Sequence, residues 1–277
     1  MSRHTLKKRI VSICLHGVLV LASAGILFPL LWTFRTSFAY RVTAYKIPPQ
    51  WFFVPTLENY GLIFKSQPFL LFFSNSLIVA LASTMICLMI GAPAAFSYAR
   101  FRTGGDLLRI GMLATQMLPA ITLVIPFFLI YKAIGLYNTR AGLVITYITF
   151  NIPFVVWILI SFFQGVPKEL EESAMVDGCN RFSAFLRVIV PISLPGMLSA
   201  GVFSFVLSWN EFLFALILTG NSSKTLPVAV SSLVTQQGTQ IGSVSAAVVL
   251  IIFPMVFLYF GLRTFLIKGM VAGAIKE

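Results

Sequence analysis

The sequence predicts an all-α membrane protein with six transmembrane helices. Hydrophobic residues fill 58% of its 277 positions and charged residues only 10%, against roughly 45–50% and about 25% in soluble domains. That much apolar surface cannot be buried in one water-soluble core, and eight acidic residues are too few to cover a globule of this size. Long apolar runs recur at the length that crosses a ~30 Å hydrocarbon core, about 20 residues. The net charge is +12. Its basic residues lie in short patches between the apolar runs, which follows the positive-inside rule and argues against a nucleic-acid-binding face.

The expected spans cover residues 10–34, 69–96, 107–131, 142–163, 197–218 and 244–267, inside a membrane domain 10–268. Residues 1–9 form a polar N-terminal segment and 269–277 a tail. The first run is long and lacks a small-residue cleavage site, so it reads as a retained helix. Pro119 and Pro126 interrupt the third run, and Pro153 and Pro254 lie inside the fourth and sixth. Prolines are tolerated in membrane helices where neighbours satisfy the freed backbone groups. They suit either kinked helices around a path or ordinary membrane-helix packing.

With both termini in the cytoplasm, inner segments hold Arg3, Lys7, Lys8, Arg9, Arg100, Arg102, Arg109, Lys168, Arg181, Arg187, Arg263, Lys268 and Lys276. Outer segments hold fewer: Arg35, Arg41, Lys46, Lys65, Lys132, Arg140 and Lys224. The bias sets that orientation. The outer loop 35–68, with four prolines and the aromatic run Trp51, Phe52 and Phe53, reads as a compact extracytoplasmic cap. Cys14, Cys87 and Cys179 are far apart and suggest neither a disulfide framework nor a metal site.

The inner loop 165–196 is too polar to span, yet its pieces look helical. Pro167 suits a first helical turn. Glu169, Glu171 and Glu172 place negative charge at the positive end of that helix. Gly178 supplies a positive-φ turn and Asn180 a cap for a second helix. Phe182, Phe185, Leu186 and Ile189 then repeat at i, i+3, i+4 and i+7, one amphipathic face, and Pro191 and Pro195 are expected to stop that helix. Spacing alone leaves two readings open, an insert for another protein's socket or an interfacial helix lying on lipid.

The run Glu172-Ser173-Ala174, three residues, Gly178, nine residues, then Val188-Ile189-Val190-Pro191 resembles the Glu-Ala-Ala loop of permeases of binding-protein-dependent ATP-binding-cassette (ABC) importers. Ser173, Val188 and Val190 depart from that pattern while roughly keeping size or apolar character. The run Ser208-Trp209-Asn210-Glu211-Phe212 and the tail 269–276 resemble carbohydrate permeases similar to the smaller permease of the maltose system. The loop from Leu226-Pro227 onward resembles that group's third outer loop, so the likeness covers most of the chain.

The resemblance implies a type I importer permease in a bacterial inner membrane. It moves a sugar or sugar derivative delivered by an extracytoplasmic binding protein. The implied partners are two ATPase subunits carrying ATP and magnesium and a second, distinct permease; this chain itself holds no cofactor. Glu172, Ser173, Ala174, Asp177, Gly178 and Pro191 would couple to the ATPase, and Gly273 and Lys276 would touch it from the tail. Trp209, Asn210 and Glu211 would line the substrate path or, alternatively, form an outer gate or subunit contact. The outer loop 220–242 would help dislodge ligand from the binding protein or simply connect two spans.

Other classes fit less well. The only histidines are His4 and His16, and no acid pair or metal-ligand cluster suggests an enzyme. The stretch from Gly220 to Lys224-Thr225 lacks the glycine spacing of a phosphate loop, so energy must come from another chain. An ion-coupled secondary transporter is the alternative, with Glu211 as its lone intramembrane acid.

Overall fold

The computed structural model describes residues 3–235 and 238–274. In chain order its helices are α1 (Arg3–Ser37), α2 (Arg41–Ala44), α3 (Glu58–Ser66), α4 (Phe69–Phe101), α5 (Gly105–Met117), α6 (Ala120–Ala133) and α7 (Arg140–Gln164). There follow α8 (Lys168–Val176), α9 (Arg181–Ala184), a π-helical turn (Phe185–Ile189), α10 (Val190–Ile192), α11 (Leu194–Trp209), α12 (Leu213–Leu218), α13 (Leu226–Ser231) and α14 (Ile241–Ala274). Strands β1 (Val234–Thr235) and β2 (Gly238–Thr239) pair antiparallel, with Val234 opposite Thr239, a small exception to an all-α chain.

Among the described residues, α1, α4, α7 and α14 are each long and apolar enough to cross a membrane, and the number rises to as many as six when each of two bent pairs is counted as one span. The third expected span is one of those pairs: α5 and α6 meet at 90°. Pro119 disfavours helical geometry at the residue before it, and both Leu118 and Pro119 are extended. Pro126 sits inside α6 without ending it. The fifth expected span, 197–218, is also not continuous. It starts at Leu194, bent 78° from the preceding loop helix, and ends at Trp209; α12 is a separate piece. The outer helices run longer than their apolar cores, α1 taking in Arg3 and α14 reaching into the tail.

The chain forms two compact units, residues 1–68 with 230–252, and residues 69–229 with 253–277. In the first, the loop after α1 folds back on it. Trp51 packs edge-on against Trp32 at 5.2 Å, and the Arg35 guanidinium lies over the Trp32 and Phe53 rings at 5.1 and 4.6 Å. Arg35 also donates to the Gln50 carbonyl, and Phe52 stays exposed. The buried Asn59 amide donates to the Ser37 and Ala39 carbonyls at 3.0 and 2.8 Å, tying α3 to the end of α1.

In the second unit α4, α7 and α11 form the core, with Cys87, Val155, Leu159, Phe163 and Ala200 buried between them. Small residues bring these helices close, as membrane packing favours. A Cβ on Gly196 would fall 2.4 Å from the Phe162 ring. A second apolar cluster joins Val79, Leu143, Tyr147, Phe214 and Leu218, which seats α12 on α7.

Two asparagines hold the 219–225 connection. Asn138 accepts from the Gly220 amide at 2.7 Å and the Ser223 hydroxyl at 2.8 Å. The buried Asn75 amide donates to the Ser222 and Lys224 carbonyls at 3.0 and 2.9 Å, and its oxygen accepts from Arg140 Nε at 2.6 Å. Asn75→Ala strands those groups together and should destabilise the protein by about 1–3 kcal/mol. Thermal unfolding of the detergent-purified protein checks this, and a wild-type melting temperature would contradict it.

Candidate functional site

The loop 165–196 is built from local signals. Pro167 precedes α8 as its N-cap, Glu169 and Glu171 occupy the first turn, and Gly178 turns the chain at φ +90°, a conformation open to glycine. The Asn180 side chain accepts from the Ser183 amide at 2.8 Å and starts α9. The expected four-residue amphipathic face is not what forms. Phe185 and Ile189 are buried, while Phe182 is 66% exposed and Leu186 is exposed. The reason is the π-helical turn, whose wider winding breaks the 3.6-residue period. Pro191 does not stop the segment either; it sits in the first turn of α10, where no donor is needed, and the chain bends at Ser193.

This loop has an inward and an outward face. Inward, Phe185 packs against Phe96 of α4 at 4.8 Å and Phe163 of α7 at 6.1 Å, with Ala174 and Ile189 also buried. Outward lie Glu172, Ser173, Asp177, Gly178 and Pro191, with Val176 87% exposed beside them. Ser173 turns its hydroxyl onto the Glu169 carbonyl at 2.8 Å. Of the expected coupling residues, only Ala174 points into the fold.

A buried ion pair fastens α8. Arg100, near the end of α4, donates from Nε to Glu171 at 3.2 Å and from Nη2 to the Val166 carbonyl at 2.9 Å. Both side chains are nearly inaccessible, at 4% and 8% exposure. Neither residue stood out in the sequence. Arg100 counted only toward the charge bias, and Glu171 is one of two adjacent acids.

The Trp209-Asn210-Glu211 run sits at the break between α11 and α12. Its members do not converge. Trp209 is 1% exposed and stacks on Phe205 at 5.6 Å with Phe73 edge-on at 5.8 Å. Asn210 is exposed and donates back to the Val206 carbonyl at 2.9 Å. Glu211 accepts from the Phe214 and Ala215 amides at 2.8 and 3.0 Å, one on each carboxylate oxygen. It therefore caps α12.

Beside that break lies an open cavity of about 460 Å³. Glu211 lines it with Gln116, Tyr147, Asn151, Ser208 and the rings of Phe150, Phe154 and Phe214. The Tyr147 hydroxyl is directed toward Glu211 without reaching hydrogen-bond geometry. Asn151 donates to Ser208 Oγ at 2.8 Å, and Ser208 in turn bonds Ser83 at 3.0 Å. Sequence reasoning missed this polar set; the available signal was amide side chains inside apolar runs. Gly273 lies in the last turn of α14, and Lys276 lies outside the described residues. Among the described residues no metal-holding cluster occurs.

Comparison with known proteins places this architecture. The fold is that of a chain in the crystal structure of a bacterial ABC transporter involved in the import of the acidic polysaccharide alginate. The TM-score is 0.80, at 20% identity over 95% of this chain and 98% of that one. The chain is 36% identical over 253 residues to the sulfoquinovosyl glycerol transport system permease protein SmoH of Agrobacterium fabrum, covering 90% of this chain and 89% of that protein. It is also 36% identical over 256 residues to the trehalose transport system permease protein SugB of Mycobacterium tuberculosis, covering 90% and 92%. Residues 87–271, from the core of α4 through the loop, the break and α14, match the model of the binding-protein-dependent transport system inner membrane component, and it is to this family of multi-pass membrane subunits that the chain belongs.

Proposed function

We propose that the chain is one of two permease subunits of an ATP-driven carbohydrate importer, with both termini in the cytoplasm. Its partners are a distinct second permease, two ATPase subunits that bind ATP and magnesium, and an extracytoplasmic binding protein that delivers the sugar. The loop 165–196 is the part the ATPases grip. One observation carries this reading: a folded helix–turn–helix turns Glu172, Val176, Asp177 and Gly178 outward while Phe185 and the Arg100–Glu171 pair anchor its other side to α4 and α7. Such a part accepts force from outside and passes it to membrane helices. ATP binding on the partners supplies the differential contacts that any conformational change requires.

Kinship supports sugar as cargo, because relatives include transport proteins for trehalose and for diacetylchitobiose. The ion-coupled alternative loses its main support as well, since both Glu211 oxygens already serve as backbone caps. The tail residues Gly273 and Lys276 are assigned to the ATPase contact on family likeness alone.

Gly178→Asp places a side chain where φ is +90° and on the gripped face. The complex should assemble in the membrane yet hydrolyse ATP without moving sugar. Normal uptake by this variant in proteoliposomes would overturn the coupling assignment.

Arg100→Gln leaves Glu171 buried without its charge partner, a loss of about 3–5 kcal/mol. Limited proteolysis should cut the variant within 165–196 faster than wild type, and uptake should fall. The apolar pair Arg100→Met with Glu171→Leu should regain protease resistance. Equal resistance of Arg100→Gln and wild type would show that the pair does not hold the loop.

Glu211→Gln swaps one capping acceptor for an amide donor facing a backbone N–H. The expected outcome is a lower melting temperature with little change in apparent sugar affinity. A large rise in KM at an unchanged melting temperature would instead give Glu211 a direct substrate contact.

A further inference from the structure

We infer that the cavity beside the α11–α12 break is a saccharide contact surface built for uncharged, hydroxyl-rich substrates and disfavours acidic ones; the inference rests on the importer reading above. The cavity measures about 460 Å³, within the roughly 300–1,000 Å³ of small-molecule sites. Its wall holds one acid, Glu211, and no lysine, arginine or histidine.

Hydrogen bonds fix which polar atoms remain for a ligand. Gln116 Nε2 donates one of its two N–H groups to the Phe150 carbonyl at 2.9 Å, which leaves the second N–H and Oε1. Asn151 Nδ2 donates to Ser208 Oγ at 2.8 Å and to the Ser204 carbonyl at 3.4 Å, which leaves Oδ1. A carbonyl only accepts, so neither amide can be reversed without loss. The Tyr147 hydroxyl is fully buried behind the wall, near Glu211, and is not presented to a ligand. The wall thus offers several acceptors and one free amide donor, the second N–H of Gln116.

A sugar hydroxyl both donates and accepts, so it fits such a wall. A carboxylate or sulfonate only accepts. It would find one donor and face the Glu211 charge in a low-dielectric setting, where repulsion is strong. Phe150, Phe154 and Phe214 add apolar faces for the C–H surface of a sugar ring.

The test uses the complete importer in proteoliposomes with its binding protein and ATP. Uptake is measured for labelled neutral disaccharides, trehalose among them, and for hexuronate and sulfonated counterparts. Neutral sugars should accumulate and acidic ones should not. Gln116→Leu should raise KM about fivefold to tenfold, the loss of one hydrogen bond, out of proportion to any change in melting temperature. Efficient uptake of an acidic saccharide, or wild-type KM in Gln116→Leu, would overturn the inference and leave the importer reading standing. Failure to accumulate any saccharide would overturn the importer reading and the inference with it.

Discussion

A helix that stops inside hydrocarbon must satisfy its own loose ends. Water reaches such a break only where it lines a cavity, and each group left unsatisfied costs several kcal/mol. The break after Trp209 meets that demand with one side chain, as the two oxygens of Glu211 close the first turn of α12. The connection that follows is tied down by Asn75 and Asn138 in the same way, side-chain amides standing in for helical partners. Because these groups are satisfied internally, the chain can interrupt its fifth apolar run and leave a polar-lined hollow at the interruption. Proteins in water can afford looser ends; here the cap is what permits the cavity.

The same second unit explains how a push on the loop 165–196 would spread. The loop runs covalently from α7 and into α11, and Arg100 joins it to α4 by an ion pair and a bond to the Val166 carbonyl. Phe96, Phe163 and Phe185 pack together at that junction. Those three helices are the ones that make the tight core, with glycine at their close approach. A packed core of this kind moves as a body rather than flexing, so displacement at the loop reaches α4, α7 and α11 together.

Much of this was legible in the sequence, and the limits have physical causes. Apolar length marked α1, α4, α7 and α14, because nothing but a helix of that length satisfies a bilayer. Gly178 and Asn180 announced the turn and the cap, since both effects act within a few residues. The 90° bend at Pro119 was visible only as an interruption, because a proline fixes where a helix ends and not where the next one points. The stop after Trp209 was hidden, as apolar residues resume at Phe212, after only Asn210 and Glu211, and run through Leu218. The Arg100–Glu171 pair spans 71 positions, and long-range pairing leaves no trace in local pattern. Trp209 shows a related limit: its neighbours placed it on the substrate path or at a gate or subunit contact, and no local pattern announced that its ring packs against Phe73 and Phe205.

The π-helical turn at Phe185–Ile189 couples segment length to facing direction. An ordinary helix advances about 100° per residue, whereas a π turn accommodates an additional residue in nearly the same rise. Removing one residue there would let the segment close to the common pitch with its flanks still in phase, whereas winding all five residues as ordinary helix would swing everything before them about the axis by roughly 100°. The outward surface at Glu172 to Gly178 would then look elsewhere while the anchors at Ile189 stayed put. The wide turn thus works as an angular spacer, holding one extra residue without turning the outward surface away.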